Sequence, residues 1–296
     1  MRVVRTLAEL AAALERPRNE RRMIGLVPTM GAFHDGHLSL IRLARARCEA
    51  VVVSLFVNPS QFEEHADLER YPRDERRDIE LAAATGADVL FTPSVAEMYP
   101  PEFATAVEVI GLTDRLEGAA RGAAHFRGVA TVVTKLLCMT APQVAFFGQK
   151  DAQQLAVIRR LVADLNLPVA IECAPTVREP DGLAASSRNV LLSSEERSRA
   201  LALPAGLRAA NELARRGARS AEELLKSARE EMLERGVEPE YLELVDPDSF
   251  EPRERLARSA LLVVAARVGA VRLIDNIELQ PAAVAAPSQT PREVLA

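Results

Sequence analysis

The chain has 296 residues, enough for one large domain or two ordinary ones, with 48% hydrophobic and 27% charged residues. That balance excludes disordered, collagen-like and coiled-coil proteins. Lys plus Arg number 37 and Asp plus Glu 42, and a net charge of −5 argues against sequence-independent nucleic-acid binding, where a basic face supplies most of the affinity.

Arg2 and Arg5 precede the segment LAELAAAL, but Glu9 interrupts it and no small-residue cleavage site follows, so an amphipathic helix is expected rather than a signal peptide. Short β-rich runs then alternate with helical patterns. Strands are predicted at 24–27, 51–57, 89–91, 105–110, 144–147 and 169–173, and helices at 37–47, 73–85, 129–139 and 152–164. In the last helix Leu155, Ile158, Val162 and Leu165 keep the helical period. Alternating strands and helices imply a doubly wound parallel sheet, a Rossmann-like α/β domain, over residues 1–176. A polar loop, REPDGLAASSRN, opens a different texture. Ser193 with Glu196 and Ser220 with Glu223 have capping-box spacing, Pro204 interrupts a helical pattern, and Gly217 ends the next. Strands follow at 241–245, 260–268 and 271–277, making residues 177–282 a smaller α+β domain. Prolines punctuate the remainder, and 283–296 is expected to be a flexible tail. The longest clean apolar run, 260–266, is far short of the roughly 18 residues a membrane span needs, so a membrane location is not expected. Cys48, Cys138 and Cys173 are widely spaced and form no CxxC pair, which argues against a disulfide framework or cysteine zinc site and suits a reducing compartment.

Four polar clusters fall just after predicted strands. In LVPTMGAFHDGHLSLIRLA a strand gives way to a small-residue turn, and His34 and His37 sit three apart where a helix begins. Unpaired N–H groups and the positive dipole end favour an anion there, and two imidazoles suit a phosphate chain. The plainer alternative is a capping or surface pair; zinc would need a third ligand that nothing nearby supplies. In VAFFGQKDAQQL another strand runs into a glycine with Lys150 and Asp151, without the spacing of a P-loop. In SLFVNPSQF, Asn58 and Gln61 follow a strand, and the boundary loop offers Ser186, Ser187 and Arg188, residue types suited to phosphate. One crevice at the carboxyl ends of the strands accounts for all four.

PTMGAFHDGH, FVNPSQF, DLERYPR, HFRGVATVVTKLL, FFGQKDAQQL and REPDGLAASSRN occur in this order, and across nearly its whole length the chain resembles the pantoate–β-alanine ligase family. HxGH by itself would indicate a wider nucleotidylyltransferase superfamily; six motifs together are far more specific. The resemblance implies an ATP- and Mg²⁺-dependent condensation of (R)-pantoate with β-alanine to pantothenate, through a pantoyl adenylate, with release of AMP and pyrophosphate. It implies ATP contacts from Met30, Gly31, Ala32, Phe33, His34, Asp35, Gly36 and His37. Further ATP contacts would come from Gly148, Gln149, Lys150 and Asp151, from Val177, and from Ala185, Ser186, Ser187 and Arg188. Gln61 and Gln154 would hold pantoate, with Gln61 also near β-alanine. His34, His37, Lys150 and Arg188 would carry catalysis, His37 as proton donor, in a cytoplasmic homodimer. An acyl adenylate must be kept from water, and the polar stretch 62–77 directly after Gln61 is a candidate lid. Three departures stand out: Ala185 where the family usually has Met or Leu, Gln149 where Glu is usual, and Arg77 ahead of Asp78 where acidic pairs are common. The last leaves Asp78 a weak metal candidate, with Mg²⁺ expected to be held mainly by ATP phosphates.

Overall fold

The structure is a computed structural model that describes residues 1–62 and 65–282; the expected tail at 283–296 lies outside the described residues. Six parallel strands form the first sheet: β1 (Arg2–Val4), β2 (Ile24–Thr29), β3 (Ala50–Leu55), β4 (Val89–Phe91), β5 (Val144–Gly148) and β6 (Ala170–Ala174), in the order β1-β4-β3-β2-β5-β6. Central strands such as β3, with Ala50, Val51, Val52, Val53 and Ser54 all buried, are apolar on both faces because helices cover both. The strand order reverses between β2 and β5. Connections leave these neighbours in opposite directions, so their carboxyl ends open a crevice.

Residues 105–110 do not form the predicted strand. Val107 and Val109 alternate inward because the extended segment lies on the Ala123–Thr140 helix, and the Val107 N–H donates to Thr131 Oγ1 at 2.9 Å. Ile110 is 88% exposed. The sheet edge is taken instead by β1, paired with β4.

The second sheet is antiparallel, in the order β7 (Pro239–Val245), β8 (Ala260–Val268) and β9 (Val271–Leu279). Leu262 and Val264 of β8 pack under the helices Ala202–Arg215 and Ala221–Glu234, whereas Leu261 and Val263 join the core beneath the parallel sheet. Burial on both faces explains the unbroken apolar run. Pro204 stands in the first turn of Ala202–Arg215, where its missing N–H costs no helical bond, and the preceding helix Ser194–Ala200 stops before it. Ser193 and Glu196 make the expected capping box. Ser220 does not cap. The Ala221 N–H at that helix start is satisfied by the Glu254 carbonyl at 2.9 Å, so a tertiary contact replaces the side chain.

Candidate active site

At the end of β2 the backbone takes two successive left-handed residues, Gly31 at φ 87° and Ala32 at φ 52°. The alanine carries a strain of roughly 1–2 kcal/mol, and the buried carboxylate of Asp78 holds the turn in place. It accepts the N–H groups of Ala32 at 2.8 Å and Phe33 at 2.7 Å. A Cβ on Gly31 would lie 2.9 Å from Asp78 Oδ2, so this position requires glycine twice over. Burial raises the Asp78 carboxyl above its usual range against the pull of those N–H bonds. With each oxygen accepting a backbone N–H and the residue 1% exposed, Asp78 anchors the loop.

The turn delivers the two histidines to the start of the Asp35–Arg47 helix. His34 is the N-cap residue, its Nδ1 accepting the Gly36 N–H at 3.1 Å, while His37 Nδ1 accepts the His34 N–H at 3.4 Å. The rings stand 4.1 Å apart, centroid to centroid, and both line the cavity. Capping and cavity roles are therefore combined, not alternatives. Because each Nδ1 accepts, the proton of the neutral ring resides on Nε2, leaving a donor for a ligand. Burial, with the nearby Lys150 charge, lowers the His34 pKa to about 4. Burial, His34 and Lys150 push His37 well below its usual value. Two neutral donors thus stand beside Lys150 and Arg188 in place of four positive charges.

Lys150 and Asp151 sit on the short turn Gln149–Asp151 between β5 and the helix Ala152–Asp164. Asn276 of β9 holds this turn, its Nδ2 donating to the carbonyls of Gln149 at 3.0 Å and Lys150 at 2.9 Å. The Gln149 side chain points away from the cavity. Its Nε2 donates to Asn276 Oδ1 at 3.4 Å and its Oε1 accepts from Cys173 Sγ at 2.9 Å. Beside Asn276, Asp275 pairs with Arg178 at 2.7 and 3.1 Å, and Arg178 also donates to the Gly182 carbonyl, which ties down the loop that carries Ala185 to Arg188. Ala185 is 4% exposed and donates its N–H to the Val177 carbonyl at 2.9 Å. Tyr71, inside the stretch expected as a lid, lines the cavity with its ring 5.8 Å from the Arg188 guanidinium and 5.8 Å from Phe62. Its hydroxyl lies 3.4 Å from Ser187 Oγ.

Gln61 is held from three sides. Asn58, buried, donates to Gln61 Oε1 at 3.1 Å and to the Gly128 carbonyl at 3.1 Å. His125 Nδ1 lies 2.9 Å from the Gln61 carbonyl, and Gln61 Nε2 donates to Met30 Sδ at 2.9 Å. A Cβ on Gly128 would fall 2.3 Å from the Ser60 carbonyl, so only glycine lets the helix lie against this segment. Further along, Glu117 receives Arg272, Arg121 and the Tyr241 hydroxyl at 2.7 to 2.9 Å, tying the Glu117–Arg121 helix to the antiparallel sheet at the cavity wall. Burial alone would raise its carboxyl, but the Arg272 hydrogen bonds and the Arg121 charge prevail and lower it to about 2.

One cavity of about 250 Å³ gathers Met30, His34, Gly36, His37, Gln61, Gly148, Lys150, Asp151, Gln154, Val177 and Ala185 to Arg188. Gly31, Ala32, Phe33, Asp35 and Gln149 are not on its wall; the first three shape the turn, Asp35 is exposed, and Gln149 is engaged beneath the lysine. Asn58, expected at the crevice from sequence, lines it, as do Tyr71, His125, Asp275 and Asn276, which have no role assigned from sequence. The motifs FVNPSQF, DLERYPR and HFRGVATVVTKLL contain the first three; no local signal marks the last two.

Anion-seeking donors at the switch point of a parallel sheet make this a nucleotide-binding α/β enzyme. A sequence profile of the pantoate–β-alanine ligases matches residues 2–278. A pantothenate synthetase of Cereibacter sphaeroides is 54% identical over 276 residues, 93% of this chain and 98% of that one, and one of Thermotoga petrophila is 50% identical over 93% and 99%. The crystal structure of pantothenate synthetase from Thermus thermophilus superposes with a TM-score of 0.90 at 48% identity, covering 95% of this chain and all of that one. A Francisella tularensis pantoate–β-alanine ligase, complexed with βγ-ATP and β-alanine, gives 0.77 at 34% identity, covering 94% and 97%. The chain belongs to the pantoate–β-alanine ligase family: it binds ATP and joins pantoate to β-alanine, forming pantothenate.

Proposed function

We propose that the ligation proceeds through a pantoyl adenylate. A carboxylate oxygen of (R)-pantoate attacks the α-phosphorus of ATP and pyrophosphate leaves with the electrons of the broken P–O bond. The β-alanine amine then attacks the acyl carbon, its surplus proton is lost, and AMP departs. Displacement at phosphorus needs positioned charge and donors rather than a protein nucleophile. The observation that carries the reading is the pair His34 and His37 at a helix N-terminus facing Lys150, with the imidazole Nδ1 atoms occupied by backbone N–H groups. In this reading their Nε2–H groups, with Lys150 and Arg188, bind the phosphates, and His37 donates toward the leaving pyrophosphate. Met30 to His37, Gly148 to Asp151, Val177 and Ala185 to Arg188 form the nucleotide site. Gln61 and Gln154 bind pantoate, each offering a donor and an acceptor, and Gln61 borders the β-alanine position.

In this reading Mg²⁺ enters as MgATP, held mainly by the phosphates and water, with Asp78 a weak candidate for a protein ligand. Residues 1–176 supply most of the cavity wall and residues 177–282 close over it; of the lid expected at 62–77, which keeps water from the adenylate, residues 63–64 lie outside the described residues, and Tyr71 stands on the cavity wall. The same reading makes the enzyme a cytoplasmic homodimer; three free cysteines accord with a reducing compartment. The test is exchange of labelled pyrophosphate into ATP. Pantoate alone should support it, and a strict requirement for β-alanine, or release of ADP, would reject the adenylate route.

A further inference from the structure

We propose that Asn276, on the edge strand of the antiparallel sheet, is a positioning residue for the reaction, acting through Lys150. This rests on the phosphate-binding role given to Lys150 above.

The turn Gln149–Asp151 is a single turn of 3₁₀ helix between β5 and the following helix, and no side chain caps either start. Its carbonyls at Gln149 and Lys150 both point to one partner, the Asn276 amide, at 3.0 and 2.9 Å. Asn276 is 5% exposed and lies on the cavity wall, so these bonds are shielded from water. The orientation of its amide is also set: Gln149 Nε2 donates to Oδ1 at 3.4 Å, and Cys173 Sγ in turn donates to Gln149 Oε1 at 2.9 Å. A relay therefore runs from β6 through Gln149 and Asn276 back to the lysine's own backbone. The Asn276 N–H donates to Asp275 Oδ1 at 2.8 Å, and Asp275 is itself paired with Arg178, which ties this point of the strand to the Ala185–Arg188 loop.

Lysine is a flexible cation on a four-carbon stem, so the place of its ammonium depends on where its backbone is held. Loss of the amide frees two carbonyls and lets the turn relax. A displacement near 1 Å of a group that must meet developing charge costs up to about 100-fold in rate. The substrates' ground-state binding, spread over many other contacts, should change much less. Asn276 thus gives the second sheet a part in catalysis although its side chain is assigned to no substrate.

The experiment measures pantoyl adenylate formation in a single turnover for Asn276→Ala, Lys150→Ala and the double variant, with melting curves and the KM for ATP and pantoate. The expected result is a loss of tenfold or more in the adenylation rate of Asn276→Ala, about 10–100-fold by the displacement argument, with smaller changes in either KM. The double variant should be no slower than Lys150→Ala, since a residue acting through the lysine has nothing left to position. A normal rate in Asn276→Ala beside a slow Lys150→Ala would overturn the proposal, as would a double-variant loss equal to the product of the single losses, the mark of an independent structural role. A normal rate in Lys150→Ala would instead show that the lysine reading itself is wrong. Should Asn276→Ala fail to fold, Asn276→Ser, which keeps a polar group in the same gap, carries the same comparison.

Discussion

Replacing His37 by asparagine separates two jobs that the ring does at once. An asparagine oxygen can accept the His34 N–H roughly where Nδ1 does now, but nothing then extends to where Nε2 faces the cavity. At 3.4 Å the bond being replaced is long, so even its complete loss should cost no more than about 1 kcal/mol of stability. Loss of a preorganised donor to a developing phosphate charge costs about 10²–10³ in rate, or roughly 3–4 kcal/mol of barrier. The two effects therefore differ enough to be told apart. Rapid-quench measurement of adenylate formation, alongside a melting curve, makes the comparison; His37→Asn should melt near the parent and react at least a hundredfold more slowly, within the range that donor removal sets. His34→Asn should be milder, and combining the two should cost less than the product of the separate losses, because both donors serve one charge. A folded His37→Asn enzyme that forms adenylate at the parent rate would refute the role of the Nε2–H donor.

Gln61→Ala and Gln154→Ala should each weaken pantoate use by about 1–3 kcal/mol with little effect on ATP affinity; titrations showing equal losses for both substrates would make them structural. Ala185→Met, filling space at a wall position 4% exposed, should tighten ATP binding slightly or leave it unchanged, and a collapse of turnover would show that the loop packs differently. Acid should destabilise the fold as the pH falls below about 6.5. His34 and His125, each held near pKa 4 by burial with a nearby cation, bind protons more readily when unfolded, so their contribution is complete above about pH 6.5 and is lost as the pH falls toward 4. Melting curves across that window should show the decline, and a flat profile would contradict neutral, buried imidazoles. Glu117→Gln leaves Arg272 and Arg121 without their carboxylate at a buried junction, and chemical denaturation should show a loss of about 3 kcal/mol.

Strands β2, β3 and β5 were legible because parallel strands covered on both faces are continuous apolar runs bounded by turn residues. The three-residue β1 was not: with Arg2 and Val3 exposed and Val4 alone buried, it carries no periodic signal, and its existence depends on the β4 edge it pairs with. The false strand at 105–110 had real alternation, but the buried side chains answer to a helix surface instead of a ladder. At the site, the spacing of His34 and His37 exposed the helix-start anion site directly. Their charge state could not be read the same way, since it depends on desolvation and on Lys150, which the fold brings in from more than a hundred residues away. Asn276 was invisible for a related reason. It meets Gln149 across 127 residues of sequence, and an asparagine in a strand that also carries Arg272, Asp275 and Glu278 announces no particular partner.

The cavity wall is built from both ends of the chain, with the His34 turn from the first sixty residues and Asp275–Asn276 from the last described strand. A ligand seated there meets the core that runs from under the parallel sheet to Phe250 and Val263 of the second domain, and, through Leu40 and Ala174, the core on the sheet's other face. Its binding free energy is then shared: at a ligand concentration one hundred times Kd, the native state gains about 2.7 kcal/mol that neither end of the chain could collect by itself. Because Leu261 and Val263 already tie the antiparallel sheet into the core beneath the parallel one, saturating ATP should raise the melting of both sheets together, in one shifted transition.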